Sequence, residues 1–410
     1  MKKMIWMPGI LAVGMISGIL FTGCSGEEAP AIQLVSITAN GVDLNGATAA
    51  TGIETGASVV ATFNIDIDPS SESLVKMIRN YDNSPLDIDV NINGKEVTIT
   101  PVDDFSTGTQ ILVDFMPGFK SKAGSSLSSI LERTFTTKGT FAVPGAVAHW
   151  TFEDNGVDIV GGRGPAAGGT VDVTYVAGRK ADAGKAASFN GTTSIMEIPN
   201  CAGLGTSNNF SLSLWVKPNS ALGKGHFVVG LGALFGFQVE IFSSFNGFKM
   251  AAGYTTGTTE FSDDIWADGG GNLGWVGYTY SKDFGAAGMS PGLKDTWAHI
   301  VFVYNGTEKT GSAYLNGTLV KSQDFDKWPS DDPKRNTTGF KYYGVMPAVK
   351  DDLAFGFVQS RAGTHWATES WGNYNLPTAN HFHGLLDDVI VYHKALKEGE
   401  VTAMYNSGKP

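Results

Sequence analysis

Apolar side chains recur at every second position in short runs along most of the chain, and polar residues fill the places between. Val59-Val60-Ala61-Thr62-Phe63 and Val97-Thr98-Ile99-Thr100 show the pattern clearly. So does the run in which Phe210, Leu212, Leu214 and Val216 alternate with Ser211, Ser213, Trp215 and Lys217. A period of two sends neighbouring side chains to opposite faces of a strand, so each run predicts a β-strand with one buried face. The runs end in Gly, Asn-Gly, Asp or Pro, which are the residues of tight turns between antiparallel strands. Residues 31–139 carry about seven such strands in an unbroken rhythm, which predicts an Ig-like sandwich. Two helices are expected: a short one over Ser71–Arg79 with a serine cap, and a closing one over Lys394–Asn406. In the second, Ala395, Leu396, Val401, Met404 and Tyr405 fall at helical spacing, with Glu398 and Glu400 at its start. Lys138 to Gly145 reads as a brief hinge, which predicts a semi-rigid pair of domains. In the run from Phe210 the apolar set should be core. Trp215 on the opposite face is either an aromatic open to a ligand or one covered by inserted loops.

Six spaced signatures mark the C-terminal two-thirds: AHWTFEDN from Ala148, ASFNGTTSIMEIP from Ala187, FSLSLWVKP from Phe210, DTWAHIVFVYNG from Asp295, AYLNGTLV from Ala313 and HGLLDDVIVYHKALKEGEV from His383. In order and wording they resemble the laminin-G-like, concanavalin A-like lectin/glucanase superfamily. The resemblance spans residues 145–410 with a long unmatched insert, and it implies a two-sheet jelly roll that holds glycans or proteins. The wording VVATFNIDIDPSS, VTITPVDDFSTGTQILVDF and RTFTT within 31–139 resembles bacterial Ig-like domains, which act as spacers in surface proteins. The expected class is therefore all-β, an Ig-like sandwich followed by a concanavalin A-like jelly roll.

Residues 1–23 read as an export signal, with Lys2 and Lys3 ahead of an apolar run from about Ile10 to Phe21. Phe21-Thr22-Gly23-Cys24 is similar to the lipobox of bacterial lipoproteins, which implies acylation of Cys24. Ser25-Gly26-Glu27-Glu28, within an acidic linker over 24–30, resembles the tag of lipoproteins sent to the outer surface. The expectation is a surface-exposed outer-membrane lipoprotein that meets the membrane only through its anchor. Cys201 then has no intrachain partner, so no disulfide framework forms, and it reads as a small buried residue. A formal charge of −11 argues against nucleic acid and other polyanions as ligand and favours neutral sugars.

Three stretches do not fit the superfamily pattern: residues 254–295, 324–344 and 360–382. All mix Trp and Tyr with Asn, Gly and acidic residues, Asp in the first two and Glu369 in the third, a mixture suited to sugars, because ring faces stack on pyranoses while carboxylates and amides bond hydroxyls. The candidates are Trp266, Trp275, Tyr278, Tyr280, Trp366, Trp371 and Tyr374, any of which could equally anchor its own loop. Asp263, Asp264, Asn272 and Asn373 are possible hydroxyl partners and also ordinary turn residues. A sandwich-fold hydrolase would carry a Glu-x-Asp-x-Glu strand, and the chain contains no Glu-x-Asp. Glu240, sharing a face with Gln238, is the best lone acid, with Glu260 and Glu369 behind it. His381 and His383 lack a third zinc ligand by spacing, and Gly269-Gly270-Gly271 is a turn rather than a phosphate loop. The resemblance implies a structural calcium ion at Glu153 and Asp388, although Asp387-Asp388 could simply close a turn. The functional expectation is non-catalytic binding of a poly- or oligosaccharide by a surface protein of a glycan-uptake system. A glycoside hydrolase with an unfamiliar carboxylate pair, a protein-binding adhesin and a structural surface protein stand as alternatives.

Overall fold

The computed structural model describes residues 29–181, 183–270 and 276–410, so Cys24 and Trp275 lie outside the described residues. Two β-sandwiches follow one another along the chain, as the alternation predicts. In the first, one five-stranded sheet runs Val42–Asp43, Leu34–Ala39, Val59–Phe63, Glu96–Pro101 and Ile88–Asn93. The other runs Ala50–Ile53, Leu131–Thr137, Gln110–Phe115, Val75–Arg79 and Ser84–Pro85. Val59, Ala61 and Phe63 are buried between the sheets, and Val60 and Thr62 are half-exposed on the outer face. Phe63, Phe115 and Phe119 meet edge-on or tilted at the centre with ring centroids 5.2 to 5.3 Å apart.

The helix expected over Ser71–Arg79 does not form. A 3₁₀ turn over Pro69–Leu74, capped by the Asp68 carboxylate on the Ser70 N–H, gives way at once to the strand Val75–Arg79. Val75 and Met77 are buried while Lys76 is exposed, a period of two, and the strand pairs with Gln110–Phe115. Cross-strand hydrogen bonds and burial outweigh local helix propensity over so short a segment.

The second sandwich begins at the strand Ala146–Trp150. Its first sheet has nine strands, in the order Thr174–Ala177, Lys185–Asn190, His383–Tyr392, Asn209–Pro218, Ala298–Asn305, Thr310–Leu315, Thr318–Asp324 and Tyr278–Ser281, with Ala146–Trp150 also on His383–Tyr392. The second has eight: Thr170–Val171, Ile195–Ile198, Leu353–Phe355, His226–Leu231, Phe237–Ile241, Phe248–Thr255 and Glu260–Ala267, with Gly339–Phe340 on Phe248–Thr255. Phe210, Leu212, Leu214 and Val216 are fully buried against Val229, Phe237, Val239 and Met250, as their spacing requires. Trp215, on the opposite face, is 3% exposed. The closing helix covers it rather than the inserted loops: Tyr405 stacks at 5.9 Å, and a Cβ on Gly408 would sit 2.8 Å from the indole.

That helix spans Glu398–Gly408, beginning later than its apolar spacing predicts. Lys394 to Lys397 are held outside it, because the Ser211 hydroxyl accepts the Leu396 N–H and the Glu400 carboxylate accepts the Lys397 N–H. Val401, Met404 and Leu396 pack with Phe141 and Val143 of the hinge, joining the two sandwiches through one apolar cluster. Tyr81 of the first sandwich lies against Phe141 at 4.7 Å, and a Cβ at Gly399 would fall 1.9 Å from the Tyr81 carbonyl, so only glycine lets the helix approach so closely. Among the described residues no helix is long and apolar enough to cross a membrane.

Candidate functional site

The strand Glu260–Ala267 is the edge of the eight-stranded sheet. Its alternation sends Ile265 and Ala267 into the core, while Asp264 and Trp266 face outward, opposite Ala251 and Lys249 of the next strand. Beside this edge run the last strands of the other sheet, Thr318–Asp324 and Tyr278–Ser281, so a cleft opens where the two sheets end. It measures about 450 Å³ and is walled by Trp266, Tyr278 and Trp328, with Asp263, Asp264, Gln323, Lys334 and Val276 between them.

Each ring is fixed by the backbone or charge around it. The Tyr278 hydroxyl donates to the Asp264 carbonyl at 2.9 Å and accepts the Trp266 N–H at 3.2 Å, so it pairs with an edge strand that would otherwise be unpaired. Burial pushes its phenol well above the usual value. Trp266 meets the edge of Phe242 at 5.5 Å. Trp328 packs against Gly277, whose φ of 90° and missing side chain both matter, since a Cβ there would lie 2.5 Å from the indole nitrogen. The Asp263 carboxylate accepts from Gln323 Nε2 at 2.9 Å and faces Lys334 at 3.4 Å, yet burial still raises its affinity for a proton. Lys249 lies 3.0 Å from Asp264 and 3.9 Å from Glu240, whose carboxyl burial also pushes up. The Lys249 ammonium thus lies within ion-pair reach of both carboxylates. Glu260 is paired with Lys341, and Glu369 is exposed in a loop.

The structure therefore divides the predicted aromatics. Trp266 and Tyr278 share the cleft. Tyr280, on the same strand as Tyr278, is 41% exposed and outside the cleft wall. Trp366, Trp371 and Tyr374 lie elsewhere, half-buried in a cluster with Phe227, Phe357 and Val358 over the outer surface of the eight-stranded sheet. Trp371 meets Phe227 at 6.0 Å and Trp366 at 4.9 Å, and the Tyr374 hydroxyl donates to the Thr193 carbonyl, all contacts that fasten the 360–382 segment down. Trp328, Lys334, Gln323 and Lys249 join the site without having been singled out in the sequence. Trp328 carried a usable signal, since it lies in one of the unmatched aromatic-acidic stretches.

The residues proposed for calcium do not fit that ion. Both Glu153 oxygens accept the Lys185 N–H, at 3.0 and 3.1 Å. Asp388 is in the strand His383–Tyr392 rather than a turn, and its oxygens are taken by His149 Nε2 and the Arg179 guanidinium, each at 2.7 Å. Arg179 also bonds Asp387 and the Gly408 carbonyl and lies 4.9 Å from the Trp215 ring centre. A divalent ion here would stand beside a buried guanidinium. Burial and the neighbouring Asp388 push Asp387 up to about 7, whereas Asp388, for which burial acts in the same sense, is held below its usual value by His149 and Arg179. Among the described residues no three His, Cys, Asp or Glu side chains gather as a metal site. Cys201 is buried, and burial pushes its thiol up to about 11, as for an inert core residue.

Residues 190–355 match the family model of the concanavalin A-like lectin/glucanases superfamily, and residues 37–137 match that of a bacterial Ig-like domain. No curated protein matches the sequence. Among solved structures, the botulinum neurotoxin type G receptor-binding domain is similar at 16% identity over 64% of this chain and 51% of that one, with a TM-score of 0.38. The botulinum neurotoxin serotype D ligand-binding domain in complex with N-acetylneuraminic acid gives 12% identity, coverage of 64% and 51%, and a TM-score of 0.40. Domain 4 of an extracellular arabinanase from Geobacillus stearothermophilus, in complex with arabinotriose, gives 20%, 63% and 98%, and a TM-score of 0.37. The chain spans about half the length of the two neurotoxin structures. It thus carries a bacterial Ig-like domain followed by a concanavalin A-like, laminin-G-like domain of the lectin/glucanase superfamily.

Proposed function

We propose that the second sandwich binds carbohydrate non-covalently in the edge cleft. The observation that carries this reading is the set of three rings, Trp266, Tyr278 and Trp328, around one open cleft with carboxylate, amide and ammonium groups between them. Rings supply stacking area for pyranose faces, and the polar groups between them supply hydroxyl partners. The ligand is a poly- or oligosaccharide, and the protein is the capture component of a glycan-uptake system. Acylation of Cys24 holds it to the outer membrane, facing outward, with the Ig-like domain as spacer. The basic start, the apolar run to Phe21 and the cysteine that follows support the anchor.

Affinity electrophoresis of the purified protein through gels containing plant, host and microbial polysaccharides, with and without chelator, tests this directly. Retardation by one glycan, lost in Trp266→Ala and in Trp328→Ala, is the expected result. Free migration on every gel with the fold intact by circular dichroism overturns it in favour of adhesion to protein or scaffolding. Release of shortened glycan, abolished by changing Glu240, Glu260 or Glu369 to Gln, would replace capture with hydrolysis. Loss of retardation with chelator would reinstate a bound calcium ion.

A further inference from the structure

Asp263 and Asp264 are consecutive on the edge strand, so their side chains leave it on opposite faces. Each nevertheless builds the same unit. Asp264 holds Lys249 at 3.0 Å, and the Lys249 ammonium lies 5.7 Å from the centre of the Trp266 ring. Asp263 faces Lys334 at 3.4 Å, and the Lys334 ammonium lies 3.9 Å over the Trp328 ring. The third ring follows suit: Lys321 sits 4.5 Å over Tyr278 and is met by Asp268 at 3.2 Å. Every cation on a cleft ring thus has a carboxylate on it, and Lys249 has a second in Glu240 at 3.9 Å.

We infer that the cleft selects neutral glycans and rejects uronic and sulfated ones, and that Asp263 and Asp264 set this selectivity by occupying the lysines. The inference rests on the carbohydrate reading above. A sugar carboxylate or sulfate entering the cleft must displace an aspartate from its lysine, which trades one ion pair for another and leaves the aspartate partly buried and unpaired. An uncompensated like charge is one of the means by which a site discriminates against the wrong ligand. A neutral sugar disturbs none of these pairs. The lysines lie over the indoles and hold them in place, and the sugar takes the ring surface that lines the cleft. The formal charge of −11 adds long-range repulsion of polyanions.

The test measures affinity of the purified protein for neutral galactomannan, xyloglucan and arabinan and for acidic polygalacturonate, alginate and chondroitin sulfate, at low and high sodium chloride. The wild type is expected to hold a neutral glycan with affinity changing less than about twofold with salt, and to hold no acidic one. Asp263→Asn, which frees Lys334 from the one carboxylate it pairs with among the described residues, is expected to gain polygalacturonate binding of roughly tenfold or more at low salt, fading at high salt. Wild-type preference for an acidic glycan overturns the inference and leaves the carbohydrate reading standing, and this outcome needs no variant to fold. A folded Asp263→Asn that gains no affinity for acidic glycans also overturns it. Retention by neither set overturns the carbohydrate reading itself, and the inference falls with it.

Discussion

Trp215 and Trp266 are built from the same parts. Each stands on the outward face of a strand, each has a cation over its ring, and each cation is held by an aspartate. Trp215 is opposite Asp387 on the neighbouring strand, with Arg179 above it, and Trp266 is opposite Lys249, which reaches Asp264. What separates them is the cover. The closing helix roofs Trp215, leaving the Arg179 and Asp387 side chains 1% exposed, whereas Lys249 and Asp264 keep 21% and 32%. Burial turns the carboxylate–cation–indole unit into a fastener for the fold, and openness turns it into a surface on which a ligand can rest.

The largest effect that separates the two units comes from removing the cations. Arg179→Met should cost about 3–5 kcal/mol in urea denaturation, because it leaves two aspartates and the Gly408 carbonyl without their buried donor. A loss under about 1 kcal/mol would show that the helix is held by its apolar cluster alone.

The aromatics sharpen the contrast in the next two steps. Trp371→Ala should destabilise the fold by roughly 2–3 kcal/mol, less than a fully buried tryptophan, because it sits half-buried against Phe227 and Trp366. Trp266→Ala should do the reverse, weakening glycan binding by about 2 kcal/mol, some thirtyfold in Kd, with denaturation midpoints little changed. Paired calorimetry and denaturation on the two variants would break the comparison if Trp371 proved to carry the binding.

Acid separates the regions through their protons. Burial pushes His226 and His381 down to about 4 and His299 to about 3, so the unfolded chain takes up protons that the fold refuses. Their contribution to stability is present above pH ~6.5 and is lost as pH falls toward 4. Asp387 works in the opposite sense. Its folded value is raised to about 7, so its contribution is full at low pH and is lost as pH rises through about 7. Asp387→Asn should therefore steepen the acid loss between pH 7 and 4 by roughly 1–2 kcal/mol, because the variant no longer takes up the proton that offsets that loss. Parallel stability profiles for variant and wild type would show that Asp387 stays charged throughout.

The two units also mark how far the sequence could be read. Period-two alternation placed Phe210 to Val216 in the core and Trp215 opposite them, since strand geometry is local. That Trp215 is covered by the closing helix depends on contacts some two hundred residues apart, which no window of sequence contains. Helical spacing misread Ser71–Arg79, where pairing with Gln110–Phe115 decides the outcome. In the inserts, Trp266 and Trp371 both sit among acidic residues, Asn and Gly, and only the packed structure separates a cleft wall from a loop anchor. The cleft was half legible: Trp266 and Tyr278 stood out by type, while nothing in the sequence marks Lys249 and Lys334, whose rings and aspartates come together only in the fold.

The smallest effect sets the limit of the comparison. Lys249→Met should change stability by less than about 1 kcal/mol, because a partly exposed ion pair contributes little and the methionine keeps the apolar stem against Trp266. It leaves Glu240 and Asp264 without their shared cation, and because Lys249 opposes the effect of burial on Glu240, the Glu240 carboxyl should hold its proton more tightly than in the wild type. Affinity for a neutral glycan should fall only about threefold, through looser seating of the indole, and should fall further as pH rises and the Glu240 carboxyl ionises. A stability loss equal to that of Arg179→Met would mean that the cleft unit is a second fastener, and the division between roofed and open tryptophans would no longer separate fold from function.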